Sequence, residues 1–335
     1  MITYADIIVD LQAGDTGKGK VCHSLLKKED EYNYVIRYNG GGNAGHTIYH
    51  NGQKIVTHFI PCGVLYGIKS IIGPGCVVNV SKLFSEIEYL ETFGFNVREN
   101  LLIDKRVHII TDEHLELDGQ DNKIGTTKQG IGPAYQDKYG RKGIRAENEP
   151  LLSDFIFDIY SLHKDKNAKI LFEGAQGFEL DVDWGDYPYV TSSHCTSGSA
   201  ILNGVPPQSI RKIFGTAKAY RTYVGLKEFE DSTLDVFEKI REIGQEYGAT
   251  TGRKRQVNWI DVSSLIQAIN INGVTDLIIN KLDVLESVGE FKLIYDSEIM
   301  SFEKISEFKS FIKIISKLEC PLLKEIIFSE SPLSI

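Results

Sequence analysis

The sequence is short of cysteine and of long apolar runs, and each shortage closes off a class of protein. There are 5 cysteines in 335 residues: Cys22, Cys62, Cys76, Cys195 and Cys320. They are odd in number and widely spread, and no CxxC pair occurs, so neither a disulfide framework nor a zinc site is expected. Such usage fits a reducing compartment, and the cytoplasm is the expected location. No run of about 18 apolar residues is present, so no membrane-spanning helix is predicted. The opening Met1-Ile2-Thr3-Tyr4-Ala5-Asp6 has no basic stretch followed by an apolar one, so no secretory leader is expected. A basic excess is missing too. The formal net charge is −9, which argues against a protein that grips DNA or RNA through its overall field. Internal repeats, low-complexity stretches and linker-like segments are also absent. What remains is 42% hydrophobic and 25% charged, an ordinary globular composition, and a single domain is expected.

Ile7-Ile8-Val9, a Gly-rich turn and then Val21-Cys22-His23-Ser24-Leu25-Leu26 read as strand, loop and helix. Short β-rich runs bounded by Gly and Pro follow at 34–38, 71–73 and 77–80. Helical spacing covers 81–92, from Leu83 through Ile87 to Leu90. Ile170-Leu171-Phe172 and Leu277-Ile278-Ile279 are further apolar runs, each leading into a Gly-rich or charged loop. Strands alternating with helices predict an α/β fold around a mainly parallel sheet, with ligands at the carboxyl ends of its strands. Residues 117–147 read as one long polar loop, and the chain from about 290 onward as helices.

Six segments carry chemistry. Gly14-Asp15-Thr16-Gly17-Lys18-Gly19-Lys20 directly follows the first strand. Its glycines would bring N–H groups close to phosphate oxygens, and its lysines add charge. The GxxxxGK[ST] spacing of a Walker A loop is absent, and a solvated turn is the plain alternative. Asn39-Gly40-Gly41-Gly42-Asn43-Ala44-Gly45-His46-Thr47 joins a glycine tract to a histidine and a hydroxyl. A loop closing over a ligand needs that combination, with Asn43 and Thr47 offering neutral hydrogen bonds to phosphate; otherwise the histidine is structural or solvated. Ile124-Gly125-Thr126-Thr127-Lys128-Gln129-Gly130, with Arg141 and Arg145 beyond, sets threonines beside glycines, either for phosphate or as an ordinary loop. Glu173-Gly174-Ala175-Gln176-Gly177 offers an amide that both donates and accepts, as a purine edge requires, and Tyr187-Pro188-Tyr189-Val190-Thr191 follows. Gly248-Ala249-Thr250-Thr251-Gly252-Arg253-Lys254-Arg255 could clamp a dicarboxylate through its guanidiniums, or be a solvated basic loop. Asn280-Lys281-Leu282-Asp283 has the NKxD form of many GTP-binding proteins. There the carboxylate accepts from the guanine N1 and N2 protons, a donor pair that adenine lacks.

In this order the six segments, spanning roughly residues 6–290, resemble the adenylosuccinate synthetase family. The resemblance implies a single P-loop-related α/β domain, residues 1–335, working as a homodimer. It implies a ligase that joins L-aspartate to carbon 6 of a 6-oxopurine nucleoside 5′-monophosphate, with GTP as phosphoryl donor and Mg²⁺ as cofactor. Asp15 would be the general base and His46 the acid at the transferring phosphoryl group, with Lys18 neutralising its charge. Asp15 and the carbonyl of Gly45 would hold Mg²⁺. GTP would lie on Gly14, Gly17, Lys18, Gly19, Lys20 and Thr47, with its base at Lys281 and Asp283. The monophosphate would meet Asn43, Thr127, Gln176 and Thr191, while Arg141 would reach the partner subunit's nucleotide. Thr250, Thr251, Arg253 and Arg255 would take aspartate.

Some positions depart from the family pattern. Its QWGDEGKGK string is here Gln12-Ala13-Gly14-Asp15-Thr16-Gly17-Lys18-Gly19-Lys20, without the Trp and the Glu. Its VGxGPFPTE segment is here Val224-Gly225-Leu226-Lys227-Glu228-Phe229-Glu230, and an arginine just before it has become Tyr223. The chain is also shorter than typical bacterial members, as archaeal ones are. These changes cluster at the purine monophosphate. They resemble the phage branch of the family, with its "DLQxGxTGKG" opening, which makes 2-aminodeoxyadenylosuccinate from dGMP on the route to diaminopurine DNA. The expected substrate is therefore dGMP, in a host cytoplasm if the chain is phage-encoded, with IMP in AMP biosynthesis as the alternative. Retention of Asp15, where better-known phage enzymes carry Ser, makes the chain intermediate. Phage relatives can also use ATP or dATP as donor. Outside the ligases, a regulatory GTPase would need a Walker A loop. A non-catalytic nucleotide-binding relative would have lost Asp15 or His46.

Overall fold

The structure, a computed structural model, describes residues 2–50, 52–121, 124–231, 233–248 and 252–331. Its frame is a nine-stranded sheet. From edge to edge the strands are Glu325–Phe328, Asp276–Asn280, Ile210–Lys218, Tyr4–Asp10, Lys169–Glu173, Tyr34–Arg37, Lys69–Ile72, Leu101–Asp104 and Ile156–Phe157. Every pairing among them is parallel. A parallel sheet must be covered on both faces, and two apolar clusters do this. Ile7, Val9, Ile36 and Phe172 pack on one side with Phe237, Trp259 and Leu265. Ile8, Val35 and Leu171 pack on the other with Val21, Leu83 and Ile87. Burial on both faces is why these strands read as unbroken apolar runs rather than alternating ones.

Tyr4–Asp10 lies inside the sheet, and the strand that follows it there, Tyr34–Arg37, leaves a gap that Lys169–Glu173 fills. Connections diverge on either side of such a point, and loops beyond the carboxyl ends leave a crevice between them. The strand ends facing it are polar. Asp10, Arg37, Asp104, Glu173, Lys218 and Asn280 are each the last residue of a strand, and all six are buried.

The expected helices are present as Lys18–Leu26 and Val80–Glu91. The run read at 77–80 is cut to Val77–Val78, because the Asn79 side chain accepts from Lys82 N at 3.0 Å and caps the following helix. Two expectations fail outright. Residues 117–147 are not one loop: helices Asp112–Gln120 and Ile131–Gly140 occupy much of the stretch. Ile131, Ala134 and Tyr135 are buried with Val77 and Ile110, packing that a polar, Gly-rich string does not display. Pro133 is tolerated because it lies in the first turn, whose N–H groups have no helical partner. Beyond residue 290 the chain is not all helix. Phe291–Tyr295 and Glu298–Phe302 pair antiparallel, with Asp296 and Ser297 turning between them at φ 48° and 67°. Helix Ile305–Glu319 follows, and Glu325–Phe328 closes the edge of the sheet. Five-residue strands set among Lys- and Glu-rich segments carry too little periodicity to stand out from helix. Among the described residues no helix is long and apolar enough to cross a membrane.

Candidate active site

A cavity of about 650 Å³ opens beyond the carboxyl ends of the central strands. Beneath the loop that lines it lies the buried Asp10. One carboxylate oxygen accepts from Gln12 N at 3.0 Å; the other accepts from Thr16 N at 3.1 Å and from Lys18 Nζ at 3.0 Å. A buried acid at the end of the first strand therefore ties down the Gly-rich loop from below. The loop turns through left-handed backbone at Gly14, Asp15 and Gly17, φ 95°, 58° and 102°. Gly17 could not be another residue cheaply, since a Cβ there would lie 2.8 Å from Asn280 Nδ2. Helix Lys18–Leu26 starts at this point and turns its N-terminal N–H groups toward the loop, a disposition suited to an anion.

Lys18 Nζ also donates to the Gln176 carbonyl at 2.5 Å. Gln176 has φ 54°, and its buried Oε1 has no partner among the described residues. Lys20 turns the other way. Its ammonium donates to Asn280 Oδ1 at 3.0 Å and to the Ser331 carbonyl at 2.6 Å. Burial pulls this lysine down to about 8, with Asp283 opposing and Lys281 adding to the shift.

His46 opens strand His46–His50 and lines the cavity. Its Nδ1 lies 2.5 Å from Glu173 Oε1, and Arg37 Nη2 lies 2.6 Å from the same oxygen. Burial followed by the nearby Arg37 charge lowers His46 to about 4. Burial also opposes ionisation of Glu173, yet Arg37 and His46 hold its carboxyl below the usual carboxylate range. Arg255, which also lines the cavity, bridges two acids, with Nη2 2.6 Å from Asp15 Oδ2 and Nη1 2.5 Å from Glu246 Oε2. Glu246 is buried and also accepts from Lys218 Nζ at 2.8 Å and Tyr220 OH at 2.7 Å. Arg253 reaches over to the carbonyls of Gly125 and Thr126, both at 3.4 Å.

Most sequence candidates meet here. Gly14, Asp15, Gly17, Lys18, Gly19, Lys20, Asn43, Gly45, His46, Thr47, Thr127, Gln176, Thr191, Arg253 and Arg255 all line the one cavity. Three do not. Lys281 and Asp283 lie just past strand Asp276–Asn280, off the cavity wall, where Lys281 Nζ donates to the Gly244 carbonyl at 2.8 Å. Arg141 ends helix Ile131–Gly140 in an exposed position, also away from the cavity. Thr250 and Thr251 lie outside the described residues. Sequence reasoning missed Asp10, Arg37, Glu173 and Glu246. The first three share a signal that was there to be read, a charge directly after an apolar run at the end of a strand. Glu246 follows a helix and offered none.

A parallel sheet with its crevice at the divergence of the strand connections, a phosphate-suited loop and charged acid–base pairs defines a nucleotide-using α/β enzyme. The sequence profile of adenylosuccinate synthetase matches residues 7–157 and 147–322. The enzyme of Chlorobium phaeobacteroides is 38% identical over 95% of this chain and 85% of its own length. That of Brevibacillus brevis is 38% identical over 96% and 86%. Fully ligated adenylosuccinate synthetase of Plasmodium falciparum superposes with a TM-score of 0.86 at 30% identity, covering 98% of each chain. The succinoaminodeoxyadenylate synthetase of cyanophage S-2L, bound to dGMP and to dATP as energy donor, shares the fold with a TM-score of 0.77 at 21% identity. It covers 99% of this chain and 94% of its own. The chain belongs to the adenylosuccinate synthetase family, whose members are GTP-dependent ligases that form a carbon–nitrogen bond.

Proposed function

We propose that this protein joins L-aspartate to carbon 6 of dGMP, giving 2-aminodeoxyadenylosuccinate, with GTP as the favoured donor and ATP or dATP as possible ones. The observation that carries this choice is Tyr223. It lines the cavity with its ring buried and tilted against Phe229 at 5.7 Å, where the family pattern has an arginine. A deoxyribose offers no 2′-hydroxyl, so a site for it gains nothing from a charged partner there, whereas a site built to pair that hydroxyl penalises its absence. The dGMP in the cyanophage relative agrees with this reading. IMP is the second reading. The retained Asp15 and the 38% identity to adenylosuccinate synthetases favour it.

Asp15 would take the N1 proton of the purine so that O6 attacks the γ-phosphorus of GTP and GDP departs. His46 would hydrogen-bond the phosphoryl group in transit, and Lys18 would neutralise its charge. The aspartate amine then adds at C6 and expels the phosphate, because a phosphorylated O6 is a far better leaving group than the oxo group. Gln176 would meet the purine edge through its amide, which can both donate and accept. Asn43, Thr127 and Thr191 serve the monophosphate, Arg253 and Arg255 the carboxylates of aspartate, and Gly14, Gly17, Gly19, Lys20 and Thr47 the donor phosphates. The guanine would sit past strand Asp276–Asn280 at Lys281 and Asp283. Mg²⁺ would be held by the Asp15 carboxylate and the Gly45 carbonyl, hard oxygen donors on two loops that line the same cavity. When bound it would offset phosphate charge.

We further propose one catalytic domain, supported by a sheet that interleaves strands from Tyr4 to Phe328. The homodimer is proposed on the exposure of Arg141, which is off its own cavity and free to reach another. The test is a product assay with GTP, Mg²⁺ and L-aspartate, offering dGMP and IMP separately and reading masses. A succinyl adduct from dGMP with IMP poor is expected. An adduct from IMP alone would make the second reading correct, and no adduct from either would remove the ligase proposal.

A further inference from the structure

Glu173 is placed to govern His46. It closes strand Lys169–Glu173, next to Arg37 closing Tyr34–Arg37, and its carboxylate is fully buried. Oε1 accepts from Arg37 Nη2 at 2.6 Å and faces His46 Nδ1 at 2.5 Å. Oε2 accepts from Cys62 N at 2.8 Å and faces Cys22 Sγ at 3.7 Å. The carboxylate is thus gripped from four directions and cannot swing. Arg37 supplies the countercharge, so the acid is kept for a purpose other than pairing with solvent. An imidazole whose Nδ1 meets an immobile carboxylate must direct its Nδ1–H there, which fixes the tautomer and the ring plane. Nε2 is then the ring nitrogen left for the cavity that His46 lines.

We propose that Glu173 is a positioning residue for the ligase reaction, holding His46 as the Nδ1–H tautomer so that Nε2 alone meets the phosphoryl group in transit. The proposal rests on the reading above, in which His46 touches that group. Glu173 itself never reaches substrate.

The test has two arms. ¹⁵N-resolved NMR of the histidines in the unliganded protein, with His46 assigned through His46→Ala, is expected to find a protonated Nδ1 hydrogen-bonded to a carboxylate. A protonated Nε2, or a ring averaging between tautomers, would overturn the proposal. This arm does not depend on activity, so it stands even where the unmodified protein turns over neither nucleotide, an outcome that would remove only the ligase reading. The second arm is a double-mutant cycle. Glu173→Gln is expected to lower kcat roughly 100-fold, the scale of a misplaced reacting group, with each KM within about 3-fold. In the His46→Ala background the same change should cost almost nothing further, because the effect travels through the histidine. An equal loss in both backgrounds would reduce Glu173 to a structural partner of Arg37. Where Glu173→Gln does not fold, the NMR arm decides.

Discussion

Replacing Glu246 by Gln should weaken the protein and its grip on aspartate together. Glu246 is buried and its carboxylate serves Lys218, Arg255 and Tyr220 at 2.8, 2.5 and 2.7 Å. The amide keeps one acceptor but turns an N–H₂ toward another donor, and Lys218 loses its countercharge. Breaking a buried pair from one side costs about 3–5 kcal/mol. With unfolding entropy near 2.1 cal/mol/K per residue, 335 residues give roughly 0.7 kcal/mol/K, so Tm should fall by about 4–7 °C. Burial already lowers Lys218 against the pull of Glu246. Without that acid the lysine can shed its proton, and the deficit should shrink as pH rises from 6 toward 9. On the acid side the sign is opposite. Burial alone would raise Glu246, but Lys218, Arg255 and Lys281 bring it to about 2, below the roughly 4.3 of an unfolded glutamate. Its contribution is complete above that unfolded value and is lost as pH falls toward 2, so the acid limb of the stability curve should flatten in the variant. Because Glu246 also aims Arg255, the KM for aspartate should rise about 10-fold, the worth of one hydrogen bond to a charged group. Scanning calorimetry across pH and aspartate titration read both effects. An unchanged Tm with an unchanged aspartate KM would refute the reasoning.

Asp15→Asn, which suits the left-handed backbone there, should lower kcat by at least about 100-fold with Tm nearly unchanged; near-normal turnover would discard the base. Gly42→Ala would place a Cβ 2.5 Å from Phe59 Cζ, and a loss of about 1–3 kcal/mol in urea unfolding is expected. Asp283→Ala should erase a preference for GTP over ATP worth roughly 10-fold or more in kcat/KM, and an unaltered ratio would mean that the donor base lies elsewhere. Arg141→Ala should be poorly active by itself and regain activity when mixed with Asp15→Asn subunits, because a hybrid dimer holds one complete site. Full activity of Arg141→Ala alone would remove the cross-subunit role.

The sequence by itself determined the α/β class, the six loops and the family. These are carried by local signals: apolar runs long enough to be buried on both faces, glycines where the chain must turn, and ordered motifs such as Gly14–Lys20 and Asn280–Asp283. Tertiary structure decided how the charges are partnered. Asp10 grips Lys18 across eight residues, but Glu173 meets His46 across 127 and Asp15 meets Arg255 on another loop. No local pattern encodes such pairings, because strand order, not chain order, brings Arg37 and Glu173 side by side. The helix Ile131–Gly140 and the strands beyond residue 290 belong to the same class. Their local composition is ambiguous, and only burial against distant partners selects one conformation.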